Sequence, residues 1–362
     1  MGGDGSGGVR GFRADKKDSG VTVYTGGPEM TRVDHAISAH AEALGVGSQA
    51  TERAGLLRDL VELAKPGIVK MVALTSVLGF ALSALWRGGV GWGLAPAFVW
   101  MVVGVVFSAA GANALNQVIE AHRDARMDRT RRRPVASGRM GVGTATAAGV
   151  VYSLIGVAVL TMGAGPVPAA VSLVTIVTYL FWYTALKPVT EWSTIVGAFP
   201  GALPPLIGWT AAAGISSGGV SASGGAGWSG LWEPGGWTLV AIMFVWQIPH
   251  FLAIGWKYRA DYARGGYRIL ALEDAGGERT ARSMLVWCGA LFPVSLLPVM
   301  WAGPGVGYAV AATVLSIVFI RCALRFSKER SEEAAKGVFL ASIAYLPLIL
   351  LVMVADAAIA SV

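Results

Sequence analysis

A chain of 362 residues that is 54% hydrophobic and only 14% charged carries about half the charged fraction of a soluble domain, which places it in a lipid bilayer. Its net charge of +7 would suit nucleic acid on a soluble protein, but here the basic residues gather where apolar segments end, which ties them to membrane topology and excludes a nucleic-acid footprint. The two cysteines, Cys288 and Cys322, lie far apart without CxxC spacing, so they offer no thiol metal site.

Residues 1–55, rich in Gly, Ser, Ala and charge, predict a disordered cytoplasmic tail with no signal peptide. The stretch 56–64, LLRDLVELA, predicts a short amphipathic helix on the membrane surface before Lys65-Pro66 turns the chain inward. A span needs about 20 apolar residues, and nine such segments follow, over 69–86, 94–115, 142–162, 167–186, 193–213, 237–256, 284–302, 304–322 and 337–360. Basic residues alternate with them. One side of the membrane receives Lys65 and Lys70, the cluster from Arg123 to Arg139, Lys187, the group from Lys257 to Arg282, and the group from Arg321 to Lys336; the other side receives Arg87. This alternation supports nine spans and a cytoplasmic N-terminus; the expected location is a bacterial inner membrane, with the motif-bearing loops cytoplasmic. The expected fold class is therefore all-α: residues 56–362 form one polytopic bundle of nine transmembrane helices with cytoplasmic loops that bear the motifs.

The loop after the second span, Asn116–Arg139, is the richest in chemistry. Asn116, Glu120, Asp124 and Asp128 recur every fourth residue. On a helix each step advances about 400°, so the first three fall within an arc of roughly 80°. Asn113 and Asn116 carry this polar stripe into the apolar run, where uncompensated polar groups are unfavourable. Arg129, Arg131, Arg132, Arg133 and Arg139 follow at once. Hard oxygen donors beside guanidiniums favour Mg2+ and a phosphate or diphosphate on a lipid. A solvated face of neutralising ion pairs is the alternative.

The loop after the sixth span, Lys257 to Gly266, also places acid and base at a helix end, four spans later, so two halves of the bundle could aim their loops at one pocket. Asp261 could bind a second Mg2+ or pair with Arg264 at i,i+3; Lys257 and Arg259 are candidate diphosphate ligands. His250, inside the sixth span, could hydrogen-bond a neighbouring helix or face substrate, including a porphyrin edge. His122, in the stripe's helix but on another face, is expected to be structural or solvated. The Gly/Ser-rich segment 214–236 predicts a flexible external loop with Trp228, Trp232 and Trp237 at the outer interface. No Ser–His–Asp or Cys–His arrangement is evident, which fits a reaction without a protein nucleophile.

The motif Asn116-Gln117-x-x-Glu120-x-x-x-Asp124 resembles the Asn-Asp-x-x-Asp-x-x-x-Asp of the intramembrane prenyltransferase superfamily typified by 4-hydroxybenzoate polyprenyltransferase. Its Gln and Glu, with Arg133-Pro134, Ser137-Gly138-Arg139, Pro249-His250-Phe251, Tyr258-Arg259-x-Asp261-Tyr262 and Gly277-Glu278-Arg279-Thr280-Ala281-Arg282, resemble the branch of protohaem IX farnesyltransferases. Where other branches show Asp-x-x-x-Asp, this chain has Lys257-x-x-x-Asp261. The resemblance implies transfer of farnesyl from farnesyl diphosphate to the 2-vinyl group of haem B, with water addition, giving haem O. It implies Asn116, Glu120, Asp124 and Asp261 as Mg2+ and catalytic residues, and Arg129, Arg133, Lys257 and Arg259 as diphosphate ligands. It further implies handover of product to a haem A synthase or to oxidase assembly. A prenyltransferase for an aromatic quinone precursor and a membrane transporter are the competing expectations.

Overall fold

A computed structural model describes residues 46–88, 91–215, 225–301 and 305–360. The chain divides into two units, Met1–Gly55 and Leu56–Val362. The disordered tail expected over 1–55 lies outside the described residues except for 46–55. These belong to helix α1, Val46–Leu63, so the helix expected to start at 56 starts ten residues earlier, through the good helix formers of Gln49–Arg53. The flexible loop expected over 214–236 is described only in part: residues 216–224 lie outside the described residues, and Gly225–Leu231 is helical.

Among the described residues there are no strands, and nine helices are long and apolar enough to cross a membrane. The first is α2, Pro66–Trp86. The second is α3, Ala95–Asp124, and the third is α4, Val142–Gly163. The fourth joins α5, Pro166–Val177, to a π-helical turn, Thr178–Thr184. The fifth is broken into α6, Ser193–Ala202, and α7, Pro204–Ala213. Helix α8, Pro234–Lys257, is the sixth span. Two short helices follow, α9 (Arg259–Arg264) and α10 (Leu270–Glu273). Helices α11, Glu278–Leu296, α12, Val306–Glu329, and α13, Glu332–Ala360, complete the bundle.

Proline sets several starts. Pro66, Pro166, Pro204 and Pro234 each open a helix, where the missing N–H would have no intrahelical partner anyway. Several helices outrun their apolar segments: α3 continues to Asp124 rather than 115, α11 begins at Glu278 rather than 284, and α13 at Glu332 rather than 337. Hydropathy marks what lies in hydrocarbon, whereas helical hydrogen bonding continues into polar sequence. At about 1.5 Å per residue, the 30 residues of α3 reach some 45 Å, beyond the ~30 Å hydrocarbon core. Its last turns, with the Asn116–Asp124 stripe, therefore stand at the polar end of the bundle.

The centre is α7, every residue of which is buried. It crosses α2 closely enough that a Cβ on Gly208 would lie 1.8 Å from the Ser76 carbonyl oxygen, and one on Gly79 2.1 Å from that of Pro205. At the break before α7 the Pro204 carbonyl accepts a hydrogen bond from Ser76 Oγ (2.9 Å), and lower down the Trp209 carbonyl accepts from Ser83 Oγ (2.9 Å). Small and hydroxylated residues thus replace the hydrophobic effect as the glue between helices in lipid. Gly208→Leu should lower stability by at least about 1–3 kcal/mol through overpacking, read as an earlier thermal transition in detergent. At the opposite end, Arg87 pairs with Glu233, which also accepts from Trp209 Nε1 at 2.8 Å.

Candidate active site at the polar end of the bundle

Asn116, Glu120 and Asp124 are 1%, 4% and 2% exposed, so the stripe is not a solvated face. Each of its three side chains meets a cation from a different part of the chain. Lys65 Nζ donates to Asn116 Oδ1 at 2.6 Å, Lys187 Nζ to Glu120 Oε1 at 2.9 Å, and Arg133 Nη1 to Asp124 Oδ2 at 2.6 Å. Asp128 does not continue the stripe: the helix ends at Asp124, where Thr130 Oγ1 donates to the Asp124 carbonyl (2.9 Å), and Asp128 is largely exposed.

Two carboxylates face Lys187, Arg133 and Lys65 in a buried pocket, so the site carries a surplus positive charge when Lys65 is protonated, the form that favours an anion. Burial, and then Arg133, lower the Lys65 pKa to about 7 against the opposing pull of Glu120 and Asp124. Burial also acts to lower that of Lys187, but Tyr183 and Glu120 outweigh it and hold the pKa well above the ordinary lysine value. Lys187 Nζ further sits 4.4 Å from the Tyr267 ring centroid, a cation–π contact. Beside it lies a small cavity of about 40 Å³, walled by Tyr183, Lys187, Leu252 and Tyr262 among others.

Local backbone features hold these groups in place. Lys65 has φ +53, a left-handed conformation that is unfavourable for a non-glycine residue, and this kink turns its side chain toward α3. Gln117 Nε2 donates to the Leu63 carbonyl at 2.8 Å, so the second residue of the motif anchors the end of α1, just before Lys65. The π turn brings Thr184 Oγ1 against the Tyr179 carbonyl (2.9 Å) and within 3.1 Å of Asn116 Nδ2; such turns recur at functional sites.

The two polar loops do meet. Both oxygens of Asp261 are taken up: Oδ1 accepts from the Asp128 N–H (3.1 Å) and from Arg264, and Oδ2 from the Arg129 N–H (3.3 Å). Burial alone would raise its pKa, but these donors overcome it and hold the carboxyl below the ordinary aspartate value. Arg123 Nη1 returns the contact by donating to the carbonyls of Gly265 (3.1 Å) and Gly266 (2.7 Å). Of the two readings left open for Asp261, the i,i+3 contact with Arg264 is present.

The remaining predicted residues lie around this centre. Arg129 stacks over Tyr258 and Tyr262, 5.1 and 5.7 Å from their centroids. Lys257 lies over Tyr258 at 4.9 Å and Arg259 over Trp256 at 4.7 Å; neither makes a hydrogen bond or ion pair with the stripe among the described residues. His250 Nδ1 shares a hydrogen bond with Ser342 Oγ on α13 (2.7 Å) and stacks between Trp246 and Phe339, the neighbouring-helix contact. His122 contacts Arg126 one turn on. Sequence reasoning passed over Lys65, Lys187 and Thr184 as site residues. The signal available was the pair of Lys-Pro dipeptides, Lys65-Pro66 and Lys187-Pro188, at the polar ends of two spans.

As for metal, Asn116 Oδ1 and the Glu120 and Asp124 carboxylates are hard donors on one buried face. Among the described residues no three His, Cys, Asp or Glu side chains form a cage. The donor set fits Mg2+, which commonly takes one or two carboxylates and completes its shell with phosphate oxygens and water.

The nine spans among the described residues, with a buried acidic stripe and opposing cations at one polar end, have the architecture of an intramembrane enzyme, and the stripe is suited to a lipid-borne phosphate. A family profile, the UbiA prenyltransferase family, matches residues 73–343, and the chain belongs to that family. It is 37% identical over 314 residues to a protoheme IX farnesyltransferase of Solibacter usitatus, covering 83% of this chain and 99% of that one. It is 39% identical over 296 residues to the protein of that name from an Anaeromyxobacter species, covering 81% and 91%. Among solved structures, a digeranylgeranylglyceryl phosphate synthase matches with TM-score 0.65 at 14% identity over 83% of this chain and 98% of that one. A UbiA homolog from Archaeoglobus fulgidus bound to GPP and Mg2+ matches with TM-score 0.51 at 13% identity over 82% and 99%. These likenesses carry the fold; the sequence relatives carry the family.

Proposed function

We propose that the protein transfers a farnesyl group from farnesyl diphosphate to a vinyl group of protohaem IX, with its polar end facing the cytoplasm. The observation that carries the donor half is the buried trio of Asn116, Glu120 and Asp124, each opposed by its own cation. The acceptor half is supported by the sequence relatives, and the orientation by the basic-residue bias.

In this reading Asn116, Glu120 and Asp124 hold Mg2+, which, when bound, neutralises the charge that grows on the leaving diphosphate. Lys65, Lys187 and Arg133 exchange their carboxylate and amide partners for diphosphate oxygens, as preorganised donors in a largely buried site. Heterolysis of the allylic C–O bond leaves its electron pair on diphosphate and gives a farnesyl cation. The π electrons of the vinyl group attack C1 of that cation, and the new carbon–carbon bond forms at the terminal vinyl carbon. The positive charge then rests on the carbon next to the macrocycle, where water adds and loses a proton, giving a hydroxyl. Asp261 is a positioning residue that clamps the two loops, with Arg129 and Tyr262 beside it, while Lys257 and Arg259 form an outer basic rim.

Purified protein incubated with haem B, farnesyl diphosphate and Mg2+ should yield, by mass spectrometry of extracted haems, a species heavier by one farnesyl group plus water, and chelation of Mg2+ should suppress it. Prenylation of 4-hydroxybenzoate in place of haem B would reassign the acceptor.

A further inference from the structure

A second cavity, of about 320 Å³, opens on the side of the bundle between α6, α8 and α11, a size typical of small-molecule sites. Three of its wall residues, Thr194, Leu252 and Leu270, also line the small cavity beside Lys187. The two spaces share that wall, so a ligand in the groove stands next to the cavity beside Lys187.

Helix α11 gives this groove its polarity. Arg279, Arg282, Ser283 and Val286 line it at i, i+3, i+4 and i+7, one face of the helix, with the guanidiniums at the polar end and Val286 a turn further into the bundle. Trp287 follows, braced edge-on by Phe244 with centroids 6.1 Å apart, and Trp192 adds a second indole from the α6 side. Arg279 is paired with Glu191 at 2.5 Å. Arg282 has no hydrogen-bond or ion-pair partner among the described residues. An unpaired guanidinium at the head of an aromatic-lined slot suits a carboxylate carried on a flat apolar body.

We infer that this groove is the acceptor site. A tetrapyrrole lies along Val286 and Trp287 with its carboxylates at Arg282 and Arg279 and its far edge against Thr194 and Leu252. The assignment rests on the haem-acceptor reading above. In protohaem the two propionates leave one edge of the macrocycle and the vinyl groups stand toward the other. Anchoring the acid edge at α11 therefore aims the vinyl edge at the shared wall and the cavity beside Lys187.

The test is a Soret-band titration of haem B into the purified protein in lipid nanodiscs, without prenyl diphosphate. Arg282→Gln should raise the dissociation constant about tenfold, the scale of one charge-assisted hydrogen bond, and Val286→Trp, which fills the slot, should raise it further. Haem B dimethyl ester, its carboxylates blocked, should bind the wild-type protein no better than haem B binds Arg282→Gln. All three proteins should bind a farnesyl thiodiphosphate with Mg2+ equally, which reports an intact fold. Wild-type haem affinity in both variants, with haem B still farnesylated, overturns the groove and leaves the acceptor reading standing. Neither haem binding nor haem turnover by the wild-type protein overturns both.

Discussion

Asp124→Asn should leave a folded, membrane-inserted protein whose prenyl transfer is slower by roughly 10²–10³-fold, the scale on which removal of one preorganised electrostatic partner acts. The folding side of this expectation follows from geometry. An amide oxygen can still accept from Arg133, and Arg133 is 25% exposed in its side chain, so water can satisfy the rest of it. The catalytic side follows from charge. Asp124 contributes one of two carboxylates on the stripe, and a neutral amide is a far weaker Mg2+ ligand. The loss should fall mainly on kcat and be partly recovered by raising Mg2+. Near wild-type turnover in a membrane assay would remove Asp124 from the metal site.

Lys187→Met should have the largest effect on stability. It strands Glu120, whose side chain is 5% exposed, without the ammonium that neutralises it, and breaking one side of a buried ion pair is destabilising by about 3–5 kcal/mol. The double substitution Glu120→Gln with Lys187→Met removes the stranded charge and should recover most of that loss while leaving the enzyme inactive. Recovery of stability without recovery of turnover separates the structural work of the pair from its catalytic work. A Lys187→Met protein with the wild-type thermal transition would show that the pair contributes nothing to the fold.

The helical bundle and the acidic stripe were legible in sequence for the same reason: both are local periodicities. Twenty apolar residues spell a span wherever they occur, and a four-residue spacing puts Asn116, Glu120 and Asp124 on one face whatever surrounds them. What completes the site is not local. Lys187 reaches Glu120 across 67 residues and Lys65 reaches Asn116 across 51; the proline that follows each lysine marks a helix end but does not say which distant side chain the ammonium meets. Gln117 reads as a variant of a ligand position, yet its donor bond goes to the end of α1 because the helix turns it about 100° away from Asn116. Asp261 illustrates the limit from the other direction: its acidity was visible, but the two backbone N–H groups that occupy it belong to Asp128 and Arg129 in the other loop.

The π turn at Thr178–Thr184 holds about one residue more than an α-helix would fit into the same rise. Everything after it is consequently out of phase, by about 100°, with an unbroken helix carrying α5 onward. The fourth span is therefore read on two separate clocks. Before the turn, its register is set by packing against the neighbouring spans. At its end, the register is set by where Thr184, its last residue, and Lys187, in the turn just beyond the helix, must arrive. The single extra residue decouples the two, so the buried flank of α5 can drift in sequence to suit its lipid and helix neighbours without rotating Lys187 off Glu120.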